Sequence, residues 1–225
     1  MKPELKDIAE HLVKWNVVFE PHPHKLGELL HELPPSPLRW VIRTLKQGGW
    51  LPEPLAQKIA RAIRAIVAEN SIRCEWVTGV PNAGTEYARL VAQARNPHLY
   101  HFPLTKGNEE IQLSRVNHGV RAVLVDDVIG AGTTKLRWIA KLHSAGVRVQ
   151  ALAVVIDREE GGAEMIRKHF QIPVISLFAS RQLLELGVQI GAIDRGHMRE
   201  ALAFHELIRS LNGLVRLHNG IMTRT

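Results

Sequence analysis

Short apolar segments alternate with amphipathic stretches along most of this chain, and no other feature of the sequence restricts the fold as strongly. The amphipathic stretches between residues 53 and 190 carry apolar side chains at helical spacing, as in Leu55, Ile59 and Ile63. The short apolar segments predict strands near residues 75–80, 120–125, 147–156 and 174–177, with a further candidate over 99–104. Strands that alternate with helices form βαβ units and a parallel sheet. The sequence therefore predicts an α/β fold with a Rossmann-like central parallel sheet flanked by helices.

Capping residues, glycines and prolines predict where the helices begin and end. A helix that begins at Glu53 should end near Asn70, and residues 133–144 should form a helix with a threonine cap and a stop at Gly146. Further helices are predicted over 84–94, over 163–169 and from Ser180 onward. The polar segment 105–119 is predicted to be a mobile loop.

The first 50 residues differ from the rest because prolines interrupt them at 21–24 and 34–37, and prolines at this density break helices. Helices are predicted on either side of the interruptions, over 2–20 and 38–46. We therefore divide the chain into a small N-terminal helical or hood region, an α/β core and a C-terminal helical extension. Their predicted bounds are 1–50, 51–190 and 191–225.

The charge of the chain narrows the choice of partners. Lys and Arg together number 29 against 22 Asp and Glu, which gives a net charge of +7. The arginines are scattered among helical positions rather than gathered into blocks, so we favour small anionic substrates over nucleic acid. No apolar run approaches the roughly 18 residues of a membrane span, and the N-terminus is charged rather than apolar. We therefore expect a cytoplasmic protein without a membrane partner.

Cysteine and histidine usage does not indicate a metal centre. The single cysteine, Cys74, excludes an internal disulfide and a CxxC metal site. None of the 12 histidines belongs to the His-x3-His pair of a helical zinc site, so most are expected at the surface or in loops.

The segment from Ala122 to Thr134 carries the clearest functional signal. A buried strand leads into Asp126 and Asp127, and the run Gly130-Ala-Gly-Thr-Thr134 then opens a helix. Paired carboxylates can accept hydrogen bonds from sugar hydroxyls, while the backbone N–H groups of the run and the positive end of the helix can bind a phosphate. The pattern therefore favours a sugar phosphate as ligand. The structural alternative is an ordinary strand-to-helix turn with solvated acids.

This segment resembles the donor-binding signature of the type I phosphoribosyltransferases, and within them the chain most resembles orotate phosphoribosyltransferases. Three further segments are similar to family segments in the same order: Gly79–Gly84 to the first loop, Asp157–Gly162 to the loop after the next strand, and Ile172–Leu177 to the closing strand. Ser36-Pro37 and Arg43 match the spacing of the family's N-terminal substrate-recognition segment. The resemblance covers about residues 36–190 and implies the type I phosphoribosyltransferase fold.

The resemblance also implies transfer of 5-phosphoribose from phosphoribosyl pyrophosphate to a nucleobase, with orotate as the first candidate. The catalytic candidates are Asp126 and Asp127, which would bind the ribose hydroxyls, and Lys106, which would reach the pyrophosphate from a flexible loop. The 5-phosphate would lie on Gly130, Ala131, Gly132, Thr133 and Thr134, and the pyrophosphate on Val80, Pro81, Asn82, Ala83 and Gly84. Arg158 would pair with the orotate carboxylate, unless it forms an ion pair with a neighbouring acid. A Mg²⁺ cofactor held mainly by the donor and water is implied, as is a homodimer.

Departures from the family pattern keep other functions open. Apolar residues near Phe102-Pro103 stand where the family has an Arg-Lys pair, and Gly130 replaces a threonine of the donor loop. Arg39 and Val41 replace an aromatic and a polar residue of the N-terminal segment. These departures concern the base and the pyrophosphate more than the ribose phosphate. A transferase for a purine or another base, and a donor-sensing regulator that binds nucleic acid, are therefore the alternatives.

Overall fold

A parallel sheet forms the centre of the protein in a computed structural model that describes residues 2–20, 36–42, 51–94, 98–104 and 119–222, with side chains as far as Asn212. The strands are β1 (Val17–Val18), β2 (Arg39–Trp40), β3 (Trp76–Gly79), β4 (Tyr100–His101), β5 (Arg121–Ile129), β6 (Arg148–Asp157) and β7 (Val174–Ala179). The central sheet has five strands in the order β4-β3-β5-β6-β7, and every neighbouring pair is parallel. β1 and β2 form a separate antiparallel pair.

Helices cover both faces of the sheet. They are α1 (Pro3–Trp15), α2 (Glu53–Glu69), α3 (Ala83–Gln93), α4 (Thr133–Ser144), α5 (Gly162–Phe170), α6 (Ser180–Gln189) and α7 (Arg195–Met222). α1, α2, α3 and α6 share one hydrophobic layer, and α4 and α5 share the other. Alternate residues of β5 serve the two layers, since Val123 and Val125 face the first while Ala122 and Leu124 face the second. Because both faces are buried, the central strands read as continuous apolar runs.

The predicted fold class is confirmed, and most of the predicted elements are present. α4 has the predicted bounds, and α2 ends at Glu69, one residue before Asn70. β5 continues to Ile129, four residues beyond the predicted end, because its pairing with β6 extends that far. The two acids therefore lie inside the last part of the strand rather than in the loop after it.

Three local predictions are wrong, and the first is the helix expected over 2–20, because α1 ends at Trp15 and Val17–Val18 forms β1. The N-cap of α4 is Gly132 rather than a threonine, because the chain enters the helix at φ +84°, which glycine adopts without strain. A helix was expected over 38–46, but Arg39–Trp40 forms β2 and pairs with β1. Pro37 and the β-branched pair Val17-Val18 favour this extended pairing. Residues 43–46 lie outside the described part of the chain.

Residues 36–42 pack against α3 and α6, which begin shortly after the carboxyl ends of β3 and β7. The Trp40 indole N–H donates to the Ser180 hydroxyl at 3.1 Å, and the buried Tyr87 hydroxyl donates to the Ile42 carbonyl at 2.6 Å. Leu38, Trp40 and Ile42 belong to the same core cluster as the sheet, so this segment is held firmly over the site described below. None of the described helices has both the length and the apolar composition needed to cross a membrane.

Candidate active site

β5 and β6 extend beyond β3 at the carboxyl end of the sheet. β3 pairs with β5 only as far as Gly79 opposite Val125, whereas β5 and β6 remain paired to Ile129 opposite Asp157. Residues 126–129 therefore border the loop that follows β3. Open α/β sheets bind ligands at this edge.

Asp126 is buried at this edge and forms an ion pair with a residue that sequence reasoning missed. Its Oδ2 lies 2.6 Å from Nζ of Lys135, and the two side chains are 5% and 12% exposed. Burial by itself lowers the pKa of Lys135, but the carboxylates of Asp126 and Asp127 outweigh it, so the pKa is raised and the lysine is charged. A lysine in the first turn of a helix opposes the helix dipole. That unfavourable placement is the one sequence signal that could have identified Lys135.

Asp127 is more accessible than Asp126, and its environment differs. It is partly exposed, and its Oδ1 accepts a hydrogen bond from the backbone N–H of Val128 at 2.7 Å. Burial and the charge of Asp126 raise the pKa of Asp127 to about 7, although Lys135 acts in the opposite direction. The two acids are therefore not equivalent, because Asp126 is committed to Lys135 while Asp127 can meet a ligand.

The glycine-rich run after β5 forms the loop that opens α4. Gly132 has φ +84°, and an added Cβ there would lie 2.9 Å from the Cα of Gly162. The N–H of Gly162 donates to the carbonyl of Gly130 at 3.1 Å. The run 130–134 is thus interlocked with the loop after β6. Its N–H groups precede α4 in the arrangement that binds phosphate.

The loop after β3 is equally close-packed. An added Cβ at Gly79 would collide with the backbone of Gly84, so the turn can form only with glycine at its start. Val80 N–H donates to the Val125 carbonyl at 3.0 Å, which ties this loop to β5 beside Asp126. Asn82 has φ +84°, a conformation that costs a non-glycine residue about 1–3 kcal/mol and is concentrated at ligand-binding loops.

Arg158 projects from the loop after β6 toward the glycine-rich run. Its Nη2 lies 2.7 Å from Oε1 of the fully buried Glu160 and 3.0 Å from the Ser36 hydroxyl. An ion pair with a neighbouring acid was one of the two predicted roles, and the structure contains it. A side chain at Gly130 would collide with the Glu160 carboxylate. Glycine therefore replaces the family's threonine here because Glu160 already fills the space.

Helix α7 reaches the same loops, which sequence reasoning did not predict. His205 is 3% exposed, an exception to the expectation of surface histidines, and its Nε2 lies 3.9 Å from Oε1 of Glu160. Asn212, also buried, donates from Nδ2 to the Glu160 carbonyl at 2.6 Å. No local sequence signal could have placed these residues here, because 52 positions separate Asn212 from Glu160.

Some predicted site residues cannot be placed. Lys106 and Arg43 lie outside the described residues, as does most of the predicted mobile loop. Within the described ranges, no group of three or more His, Cys, Asp and Glu side chains is arranged to hold a metal ion. The carboxylate oxygens of Asp127 nevertheless suit Mg²⁺, which takes few carboxylates and fills its other positions with phosphate oxygens and water.

Curated relatives decide the family. No protein-family model matches the chain. An orotate phosphoribosyltransferase of Pyrobaculum calidifontis is 30% identical over 141 residues, which cover 61% of this chain and 72% of the relative. The chain belongs to the type I phosphoribosyltransferase family. The Sulfurisphaera tokodaii orotate phosphoribosyltransferase is 28% identical to this phosphoribosyltransferase over 62% of the chain and 73% of the relative. A Methanosarcina barkeri protein named transcriptional regulator GfcR 1 is 30% identical over 48% of the chain and 55% of the relative.

Solved structures share the fold of this phosphoribosyltransferase. Leishmania donovani UMP synthase matches with a TM-score of 0.72 and 24% identity, over 89% of this chain and 42% of that one. The Mycobacterium tuberculosis orotate phosphoribosyltransferase in complex with phosphoribosyl pyrophosphate gives a TM-score of 0.57 and 20% identity, over 81% and 93%. The Saccharomyces cerevisiae adenine phosphoribosyltransferase gives 0.57 and 16%, over 77% and 99%.

Proposed function

We propose that this phosphoribosyltransferase transfers 5-phosphoribose from phosphoribosyl pyrophosphate to orotate, with release of pyrophosphate and with Mg²⁺ as cofactor. The observation that carries the proposal is the position of Arg158 beside the glycine-rich run. Its backbone N–H donates to the Ile129 carbonyl at 2.8 Å, and its side chain lies over Gly130. A cation that suits a carboxylate is therefore held next to a loop that suits a sugar phosphate.

The donor part of the proposal rests on the two interlocked loops. The glycine-rich run would bind the 5-phosphate through its N–H groups and the N-terminus of α4. Asp127 would accept hydrogen bonds from the ribose hydroxyls, and the loop after β3 would bind pyrophosphate oxygens. Lys135 would hold Asp126 in place beneath the ribose. When bound with the donor, magnesium supplies charge neutralisation for the departing pyrophosphate.

The chemistry requires positioning more than a protein nucleophile. The bond between the anomeric carbon and pyrophosphate breaks while a ring nitrogen of the base forms the new bond and gives up its proton to solvent, and the sugar gains positive charge in between. Fixed groups accelerate such a reaction when they hold the two reactants in line and stabilise developing charge. The carboxylates under the ribose and the donors around the pyrophosphate are suited to these two tasks.

The base part of the proposal rests on the guanidinium of Arg158. It is mostly buried, and within the described residues no acceptor lies within hydrogen-bond distance of its Nε. Burial lowers the pKa of Arg158 while Glu160 raises it. A planar cation at this position suits bidentate recognition of a carboxylate such as that of orotate.

Donor binding should depend on pH through Asp127. Its pKa of about 7 means that the carboxylate is mostly protonated at pH 6 and mostly ionised at pH 8. Because an ionised carboxylate is the stronger acceptor, we expect the affinity for the magnesium complex of phosphoribosyl pyrophosphate to rise about tenfold from pH 6 to pH 8. Calorimetric titration of the wild type and of Asp127→Asn measures this. Since asparagine does not ionise, the variant shows how far the ligand's own titration changes the affinity between pH 6 and pH 8. An equal change of affinity with pH in both proteins would contradict the role of Asp127.

The proposed activity is tested by titrating phosphoribosyl pyrophosphate with Mg²⁺, then adding orotate and measuring released pyrophosphate. The base assignment is tested with Arg158→Met combined with Glu160→Gln, which removes both members of the buried ion pair and leaves no unpaired charge. Loss of the charged hydrogen bonds should raise KM for orotate about 100-fold. Donor affinity should stay unchanged.

The matched control removes an exposed ion pair between α7 and α5, formed by Arg209 and Glu164, whose nitrogen and oxygen atoms lie 3.0 Å apart. Arg209→Met with Glu164→Gln should leave KM for orotate at the wild-type value, because exposed pairs contribute little. If the Arg158 and Glu160 double variant keeps the wild-type KM as well, orotate is the wrong base and a purine becomes the better candidate. Absence of donor binding in the wild type would contradict the donor assignment.

A second candidate, a donor-sensing regulator that binds nucleic acid, is favoured by the outer face of α4 and α5. α4 has no acidic residue, and the single acid of α5, Glu164, is paired with Arg209. The exposed cations of these two helices include Arg137, Arg167 and Lys168. The relative named as a transcriptional regulator adds to this candidate. Donor binding without pyrophosphate release from any base, together with salt-sensitive retention on duplex DNA, would favour it over the transferase.

A further inference from the structure

The C-terminal helix α7 lies across the loops that form the proposed active site. Phe204 and Ile208 are buried against Ala131 of the glycine-rich run, and Leu211 packs beside them. These residues are separated by four and three positions and so occupy one face of the helix. α7 therefore contacts the proposed 5-phosphate loop directly, although it is remote from that loop in sequence.

The same helix also fixes the loop that carries Arg158. Nδ2 of Asn212 donates to the Glu160 carbonyl at 2.6 Å, and both residues are buried. An added Cβ at Gly161 would lie 3.7 Å from Asn212, so the turn faces the helix closely. The Glu160 side chain pairs with Arg158 at 2.7 Å and also lies 3.9 Å from Nε2 of His205 on the same helix. Asn212 thus holds the backbone of Glu160, and the Glu160 side chain in turn holds Arg158.

Movement of this turn would be passed on to the glycine-rich run. The N–H of Gly162 donates to the Gly130 carbonyl, and the Cα of Gly162 lies against Gly132. Interiors this close-packed transmit displacement rather than absorb it. The Glu160–Gly162 turn is therefore the connection between α7 and both halves of the proposed site.

We propose that Asn212 is a positioning residue, which anchors the Glu160–Gly162 turn to α7 and thereby sets the orientation of Arg158 toward the base. This inference rests on the proposed function, because it assigns Asn212 to the base side of that reaction. Asn212 itself does not touch the reacting groups. Its loss should weaken recognition of the base more than the chemical step.

The test compares Asn212→Ala with Ser210→Ala, an exposed polar residue on the same helix. Loss of one buried hydrogen bond to the turn should raise KM for orotate about fivefold to tenfold in Asn212→Ala. The maximal rate should stay within about twofold of the wild type, since the interaction does not involve the transition state. Ser210→Ala should match the wild type in both constants.

Hydrogen exchange of the Gly162 amide gives a second readout that requires no turnover. Asn212→Ala should speed this exchange, because the turn loses its anchor, while the amides of β5 and β6 stay protected. Asn212→Leu, which keeps about the same size but removes the amide donor, should show the same two effects and serves if the alanine variant does not fold. If wild-type protein releases no pyrophosphate from orotate, the proposed function fails while the exchange result still decides the anchoring role.

Two results would overturn the inference. One is unchanged Gly162 exchange in both Asn212 variants. The other is a lower melting temperature and a lower maximal rate with KM for orotate unchanged, which would assign Asn212 a purely structural role.

Discussion

Asp127→Asn should abolish most donor binding and leave the fold intact. Under the proposed function the carboxylate accepts hydrogen bonds from two ribose hydroxyls, and each bond to a charged acceptor contributes about 1.5–3 kcal/mol. Losing both should weaken binding of the magnesium complex of phosphoribosyl pyrophosphate by about 100-fold or more, as measured by calorimetry at pH 8.

The same substitution should stabilise the protein at pH 8. Because the pKa of Asp127 is raised to about 7 in the folded state, the protonated acid favours the folded state. This contribution to stability is complete below the unfolded pKa of the group and is lost as pH rises through about 7. An amide does not ionise, so the melting temperature of Asp127→Asn should exceed that of the wild type at pH 8 and approach it at pH 4. A variant that loses both donor binding and stability at pH 8 would contradict this assignment.

Asp126→Asn is the matched comparison, and the structure gives it the opposite stability effect. It would leave the buried ammonium of Lys135 without its carboxylate partner, and breaking a buried ion pair costs about 3–5 kcal/mol. Its melting temperature should therefore fall by roughly 6–20 °C. Asp126→Asn combined with Lys135→Met should recover most of this loss. The comparison separates a ligand-binding acid from a structural acid in one motif.

The sequence predicted what is local and left out what depends on distant packing. The acid pair and the glycine-rich run are contiguous and adjoin a strand with a clear apolar pattern, so both the strand and the ligand class could be predicted. The different roles of Asp126 and Asp127 could not, because they depend on how deeply each side chain is buried and on the position of Lys135.

Gly130 is a second position whose explanation depends on distant packing. In the sequence it is a departure from the family's threonine, which suggested an altered base site. In the structure the Glu160 carboxylate occupies the space that a side chain at this position would fill. A motif shows which residue is present at a position, but only the packing around it shows why.

Gly132→Ala should disable the proposed 5-phosphate loop. Two effects act on this residue. Its φ of +84° is strained for alanine, and the new Cβ would lie 2.9 Å from the Cα of Gly162, where backbone rather than a flexible side chain must move. A displacement of about 1 Å at a ligand-positioning loop is enough to cost about 100-fold. Calorimetry should therefore detect little or no donor binding by this variant.

Gly191→Ala is the control that introduces backbone strain without a steric clash. Gly191 also has a positive φ, +71°, but an added Cβ there meets nothing within 4 Å. The left-handed strain should lower the stability of this variant by about 1 kcal/mol. Its donor affinity should stay at the wild-type value. If Gly132→Ala also binds the donor normally, the loops around Gly132 and Gly162 can separate without consequence. The interlocked loops would then not be what forms the phosphate site.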